Sequence, residues 1–354
     1  MRTISEYLHT KDNNFQLIRF GAATGVFVSH CFSLAGFGAT GKPALLGFIS
    51  LNVFFVISGF LVTKSYLDRK NIGDYVRARV LRVYPALIIA VLFSTYFVGT
   101  AFSQLYPIDF LANPLVHLYA LKNAILVWPD IPEELPGVFL DSNHSPTVNA
   151  PLWSLPYEIW CYALLAVFGC MFRAKISPRW FFIFIGAAFF VFFSTFVFNY
   201  AGRTDEYAII LGKDAFRLGA MFMLGVLMYG LNRHIPVSIW VAVIVVIGIA
   251  AAGLTSRLLF TAAFYGALGY LVLYFAYGIR GPVLAFNKLG DYSYGIYIFG
   301  YPIQQGLEQV VPNLSLPAFF AISFSITVLL AIASWHIVER KALTLKRGPT
   351  VNPG

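Results

Sequence analysis

Ten mostly apolar stretches of about twenty residues follow one another along this chain, and they limit what it can fold into. They lie at 17–37, 44–64, 83–103, 152–172, 180–200, 207–230, 237–253, 258–278, 292–311 and 317–337. A helix of about 20 residues crosses a hydrocarbon core of about 30 Å. Inside that core only helices and closed barrels satisfy their own backbone polar groups. The expected fold class is therefore an all-α polytopic membrane protein with about ten transmembrane helices. Composition agrees: 12% of residues are charged and 58% are hydrophobic, too little charge to cover a soluble body. The 35 Phe, 20 Tyr and 6 Trp exclude a solvated, disordered coil. The first 16 residues are too polar for a signal peptide, and no cleavage pattern follows the first stretch, so that stretch is read as a retained helix.

The net charge of +9 does not call for a nucleic-acid partner, because its placement has a topological reason. With the N-terminus in the cytoplasm, eighteen of the 25 Lys and Arg fall in inner segments. Only Lys42, Lys122, Arg203 and Arg257 fall in outer ones, and Arg19, Lys213 and Arg217 lie in or at the edge of spans. Basic residues concentrate on the cytoplasmic side, so both termini are expected there, in a cytoplasmic (inner) membrane. The longest outer loop is 104–151, with Asp109, Asp130, Glu133, Glu134 and Asp141. A single membrane domain is expected over 1–340, followed by a short basic cytoplasmic tail at 341–354. Cys31, Cys161 and Cys170 sit in apolar stretches and read as core thiols rather than metal ligands or disulfide partners.

Ionisable residues inside a span are expensive and point to function. The first span carries Arg19 and His30, eleven residues and about three turns apart, which places both on one helical face. Singly, Arg19 reads as a snorkelling arginine and His30 as a packing histidine; together on one face they suggest a site. In the second span, Asn52 and Ser58 suit hydrogen bonds between helices and Gly59 suits close backbone approach. The following segment, DRKNIGDYVRARVLRVYPAL, places Arg79 and Arg82 on one face and Arg77 on another. These arginines either set topology and meet lipid head groups or clamp a phosphorylated ligand. Pro151 and Pro156 make the fourth span's entrance irregular, and Glu158 follows just inside. A helix carrying Glu158 opposite His30 would pair a carboxylate with an imidazole, the arrangement that orients a general base. Asp214 and Arg217, three apart, neutralise each other on one face.

These motifs, in this order, resemble the membrane acyltransferase 3 family. They are the Arg-x10-His of the first span, FFVISGFL in the second, RARVLRVYP after it, WSLPYEIW in the fourth, GDYSYGIYIFGYP in the ninth and WHIVERKAL at the end. The family includes O-acetyltransferases of lipopolysaccharide O-antigen, exopolysaccharide and Nod factors. The resemblance implies a ten-helix core that takes an acyl group, usually acetyl, from cytoplasmic acyl-CoA and transfers it to a glycan hydroxyl. Acetyl-CoA is then a co-substrate, with no permanently bound cofactor, and membrane lipid and a glycan or lipid-linked oligosaccharide are the partners. His30, Glu158 and Arg19 are the expected catalytic residues. Arg77, Arg79, Arg82 and Arg19 are expected on the CoA phosphates, and Trp153, Ser58 and Tyr157 at the substrate. One departure stands out: many members carry His two residues before the motif proline of the ninth span, and here that place is Gly300. Few residues follow the tenth span, so the esterase-like domain fused to some members is not expected here. No metal is implied by the scattered histidines, and no Gly-x-Ser-x-Gly elbow is present. The rival class is a transporter or flippase of lipid-linked saccharide, which more often shows repeated halves with broken helices.

Overall fold

The computed structural model describes residues 2–8, 10, 12–37, 42–69, 71–127, 130–140, 145–175, 178–201 and 211–346. Lys11, Lys70, Asp141, Arg203, Arg347 and the tail beyond Lys346 lie outside the described residues. The described chain is nearly all helical. Among its residues there is no strand, only isolated bridges such as Ser103 with Val138 and Glu134 with Thr147.

A helix lies over each of the ten apolar stretches. They are α1 (Phe15–Phe32), α2 (Lys42–Leu67), α3 (Ile72–Leu92), α4 (Leu155–Lys175) and α5 (Pro178–Ala201). Then follow α6 (Leu211–Gly230), α7 (Ile239–Thr255), α8 (Arg257–Gly278), α9 (Ser293–Val310) and α10 (Leu316–Ser334). Seven of these, α1 to α5, α8 and α10, are long and apolar enough to cross a membrane on their own. The other three depart for visible reasons: α6 opens on Lys213, Asp214 and Arg217, α7 has 17 residues, and α9 carries Gln304, Gln305 and Glu308. Beyond Leu92, α3 runs on through a π-helical turn, Phe93–Val98, and a last helical turn, Gly99–Phe102.

The chain forms two compact units. The first comprises Met1–Arg19, Leu51–Ile72 and Trp160–Leu289. Its tightest contact is between α2 and α6, where a Cβ added to Gly59 would collide with the carbonyl of Phe222. A Cβ on Gly225 would in turn meet the carbonyl of Val56. The close approach expected at Gly59 is therefore reciprocal. Beside it Arg217, 2% exposed, donates to Asp214 Oδ1 at 2.6 and 3.2 Å and to Asn52 Oδ1 at 2.8 Å. The i,i+3 neutralisation is present, and Asn52 bonds between helices.

The second unit comprises Phe20–Ser50, Gly73–Ile159 and Gly290–Gly354. It holds α3, α9, α10 and the segment 103–149. Most of that segment falls in the expected outer loop 104–151, and it contains a twelve-residue helix, Pro114–Ile125, capped by Asn113 and started by Pro114. Phe110, Val116, Tyr119, Leu135, Val138 and Val148 pack with Val98 into one apolar cluster.

Overpacking at a backbone contact costs about 1–3 kcal/mol or more. Gly225→Leu should therefore lower the melting temperature of the detergent-solubilised protein sharply. Gly21→Ala, at a position with nothing within 4 Å of an added Cβ, should leave it unchanged.

Candidate active site

His30 lies two residues before the end of α1 and is half-buried. Its ring meets Tyr301 of α9 edge-on, with centroids 4.9 Å apart. The two rings sit in a narrow crevice lined also by Phe27, Pro151, Tyr297, Gly300 and Gln304. Gln304 is fully buried. Its amide nitrogen donates to the Phe27 carbonyl at 3.0 Å and contacts Cys31 Sγ at 2.9 Å. Those atoms belong to the helical turn that carries His30, so the amide fixes that turn against α9. A carbonyl only accepts, so the Phe27 contact also decides which way round the amide sits.

The irregular entrance to α4 is a 3₁₀ turn, Ala150–Ser154, and α9 holds it. Tyr297 Oη donates to the Pro151 carbonyl at 2.9 Å and lies 2.7 Å from Ser154 Oγ. Asn149, one residue before the turn, donates to the Ile298 carbonyl at 2.9 Å and to Ser94 Oγ at 3.2 Å. The segment thus reaches the crevice through Pro151. Glu158, expected to face His30, lies two turns further on, is half-buried and does not line the crevice. Trp153 and Tyr157 are half-buried, with rings perpendicular and centroids 5.9 Å apart.

On α3, Arg77 is exposed and Arg79 half-buried, in keeping with their expected different faces. Arg82, expected on the CoA phosphates, is engaged by side chains of the protein. Its guanidinium binds Asp291 Oδ2 at 2.6 Å and lies 3.6 Å from Glu339 Oε2. Tyr294 places its ring 5.9 Å from the same group. Glu339 closes a π-helical turn, Trp335–Glu339, is 2% exposed, and accepts from Ser334 Oγ at 3.1 Å. Ser293 Oγ donates to Asp291 at 2.5 Å. A guanidinium with two carboxylates around it is compensated, and it ties α3 to the start of α9 and the end of α10. Asp291, Glu339, Tyr301 and Gln304 were missed as site residues. Asp291 and Glu339 lie inside the closing motifs, and two adjacent glutamines in an apolar stretch were a readable signal.

The second unit therefore brings His30 to Tyr301, Gln304 and the α4 entrance, and it contains all three arginines of the basic segment. Arg19 and Ser58 belong to the first unit and are half-buried. The molecule so described is a multi-helix membrane protein with a histidine set among polar side chains in an apolar unit. The chain belongs to the acyltransferase 3 family, whose acyltransferase domain matches residues 12–336. It is 27% identical over 352 residues to an O-acetyl transferase of Shigella phage Sf6, covering 94% of this chain and 97% of the relative. It is 26% identical over 362 residues to nodulation protein 10 of Rhizobium leguminosarum bv. viciae, covering 94% of each. No solved structure matches it significantly.

Removing one partner of a buried ion cluster costs about 3–5 kcal/mol, whereas a plain surface change stays within about 0.5 kcal/mol. Arg82→Gln should accordingly unfold the protein at a much lower temperature than wild type. Arg77→Gln should melt as wild type in the same detergent.

Proposed function

We propose that this acyltransferase is an O-acyltransferase of the cytoplasmic membrane that moves an acetyl group from cytoplasmic acetyl-CoA to a hydroxyl of a cell-surface or lipid-linked glycan. The observation that carries the reading is the family match along nearly the whole chain, together with a histidine set against Tyr301 in a narrow, mostly apolar crevice. A relative of nearly the same length is named an O-acetyl transferase.

In this mechanism the CoA phosphates meet Arg77 and Arg79, whose guanidinium forks match phosphate oxygens. Arg82 is given a smaller share, because Asp291 and Glu339 already hold it. Arg19 is likewise assigned to the acyl-CoA donor. His30 takes the proton of the glycan hydroxyl as that oxygen attacks the thioester carbonyl. The C–O bond forms, the C–S bond breaks, and the imidazolium returns its proton to the CoA thiolate. Gln304 and Tyr301 keep the imidazole in place during the cycle. Trp153, Tyr157 and Ser58 are assigned to the acceptor, as surfaces on which sugar rings stack or hydrogen-bond. Glu158 is assigned an electrostatic role at the α4 entrance.

General base catalysis contributes about 10²–10⁴ in rate. His30→Gln keeps a hydrogen bond but cannot cycle a proton near neutral pH. Its transfer of labelled acetyl from acetyl-CoA to the membrane glycan fraction should fall by about that factor at unchanged protein level. Wild-type transfer by this variant would make His30 a packing residue. Arg79→Ala should raise KM for acetyl-CoA with little change in kcat, because phosphate contacts persist from ground to transition state. An unchanged KM would return Arg79 to setting topology.

A further inference from the structure

The first unit holds a groove that the proposed reaction does not use. One face of α8 builds it. Leu268, Leu271, Val272 and Phe275, with Ile279 just past the end of the helix, recur at the spacing of three and four that aligns side chains, and all of them line it. Leu17 and Ile18 of α1 and Val53 of α2 supply the other walls. The groove measures about 260 Å³ and its lining is apolar throughout. From Leu268 to Ile279 is eleven residues, about 16 Å of helix and about half the thickness of a hydrocarbon core, the depth of one leaflet. Phe275 and Val283, 51% and 36% exposed, leave one side open.

Asn14 closes one end. It is 2% exposed, and its backbone amide donates to the Ala276 carbonyl at 2.8 Å. Its side-chain nitrogen donates to the carbonyls of Phe275 and Ile279 at 3.2 and 2.7 Å. These are carbonyls of the last turn of α8, which a helix end leaves unmet, so an occupant need bring no donor to them. Asn14 Oδ1 is buried and adds no polar surface to the lining. A plain hydrocarbon chain is what such a groove accepts.

Positive charge gathers at that same end. Arg280 follows Ile279, is exposed, and holds its guanidinium 4.8 Å from the centre of the Tyr7 ring. Lys288 is exposed as well, and its neighbours are tied to the chain beside Asn14. Asn287 Nδ2 donates to the Asn13 carbonyl, and Gln16 Nε2 donates to the Leu289 carbonyl at 2.8 Å. Asp12 is the one acidic residue in the stretches 12–18 and 278–289, so this end is net basic. An apolar length of one leaflet with a basic end is the complement of an anionic amphiphile. A free phosphate would leave the apolar length unused, and a neutral lipid would leave the cations unused.

We propose that this groove holds one acyl chain of an anionic phospholipid, with Arg280 and Lys288 at its phosphate. The lipid comes from the leaflet on the side of Arg280, and its chain lies along α8 between α1 and α2.

The test uses the full chain in phosphatidylcholine nanodiscs doped with phosphatidylglycerol that carries a diazirine midway along one acyl chain. Irradiation should label the peptides that contain 17–18 and 268–279. Unlabelled phosphatidylglycerol should compete the label away, whereas added phosphatidylcholine should not. Arg280→Gln and Lys288→Gln change exposed side chains and leave the apolar walls untouched. Each should weaken that competition about five-fold, because a cation at the membrane surface contributes about 1 kcal/mol to anionic-lipid binding. Val53→Trp narrows the groove from the α2 wall and should remove the label from the same peptides. If that variant does not fold, the glutamine variants decide alone. Equal labelling by a phosphatidylcholine probe, or unchanged competition in both glutamine variants, would mean ordinary lipid around the protein and overturn the proposal. Displacement of the probe by a polyprenyl phosphate at lower concentration than by phosphatidylglycerol would overturn it in favour of a lipid-linked occupant. No part of the readout depends on acyl transfer.

Discussion

A lipid bilayer offers no water to a backbone carbonyl or an amide, so every polar group placed there needs a partner from the protein. The side-chain carboxamide nitrogens show how this chain meets part of that demand, while the oxygens of Asn14, Asn149, Gln304 and Gln305 are buried without a hydrogen-bond partner. Asn14 donates to the carbonyls of Phe275 and Ile279, Asn123 to those of Tyr119 and Pro132, and Gln305 to those of Ser145 and Thr147. Asn149 and Gln304 do the same at the crevice. In each case the amide nitrogen spans two acceptors, so one side chain pins a second segment to its helix. Apolar faces alone give helices little reason to choose a register in lipid. These amides supply the register, and His30 inherits its surroundings from them.

The Arg82 cluster applies the same logic to charge. Two carboxylates surround one guanidinium and Ser293 and Ser334 donate to them, while Glu339 Oε2 is buried without a hydrogen bond, 3.6 Å from the guanidinium. Such a cluster contributes more to a unique arrangement than to net stability, since burying charge costs nearly what pairing returns. It anchors α3 at the point where the basic segment becomes apolar. The neighbouring Arg77 and Arg79 therefore leave a fixed base.

Much of the architecture was readable from the chain because the governing signals are local. Twenty apolar residues in a row, an Asp and an Arg three apart at 214 and 217, and a glycine in FFVISGFL each announce their role within a turn or two. The site was only partly readable, because its contacts are not local. Asp291 is 209 residues from Arg82 and Gln304 is 277 from Phe27, and no spacing rule reaches that far. Glu158 was placed opposite His30 by its depth along the span alone, whereas it is Pro151 of the 3₁₀ turn that lines the crevice. The helix at Pro114–Ile125 escaped notice because it is shorter than a span and bracketed by prolines and asparagines, which read as loop.

Gly300 has one further consequence. It occupies the place where the motif that this chain resembles carries histidine, and an added Cβ there would press on the ring of Phe27. That ring, 3% exposed, also meets Phe320 and Phe324 edge-on and has nowhere to retreat. Position 300 and position 27 are therefore two claims on one volume. A sequence with histidine at the first should carry a smaller side chain at the second, and the two should exchange as a pair.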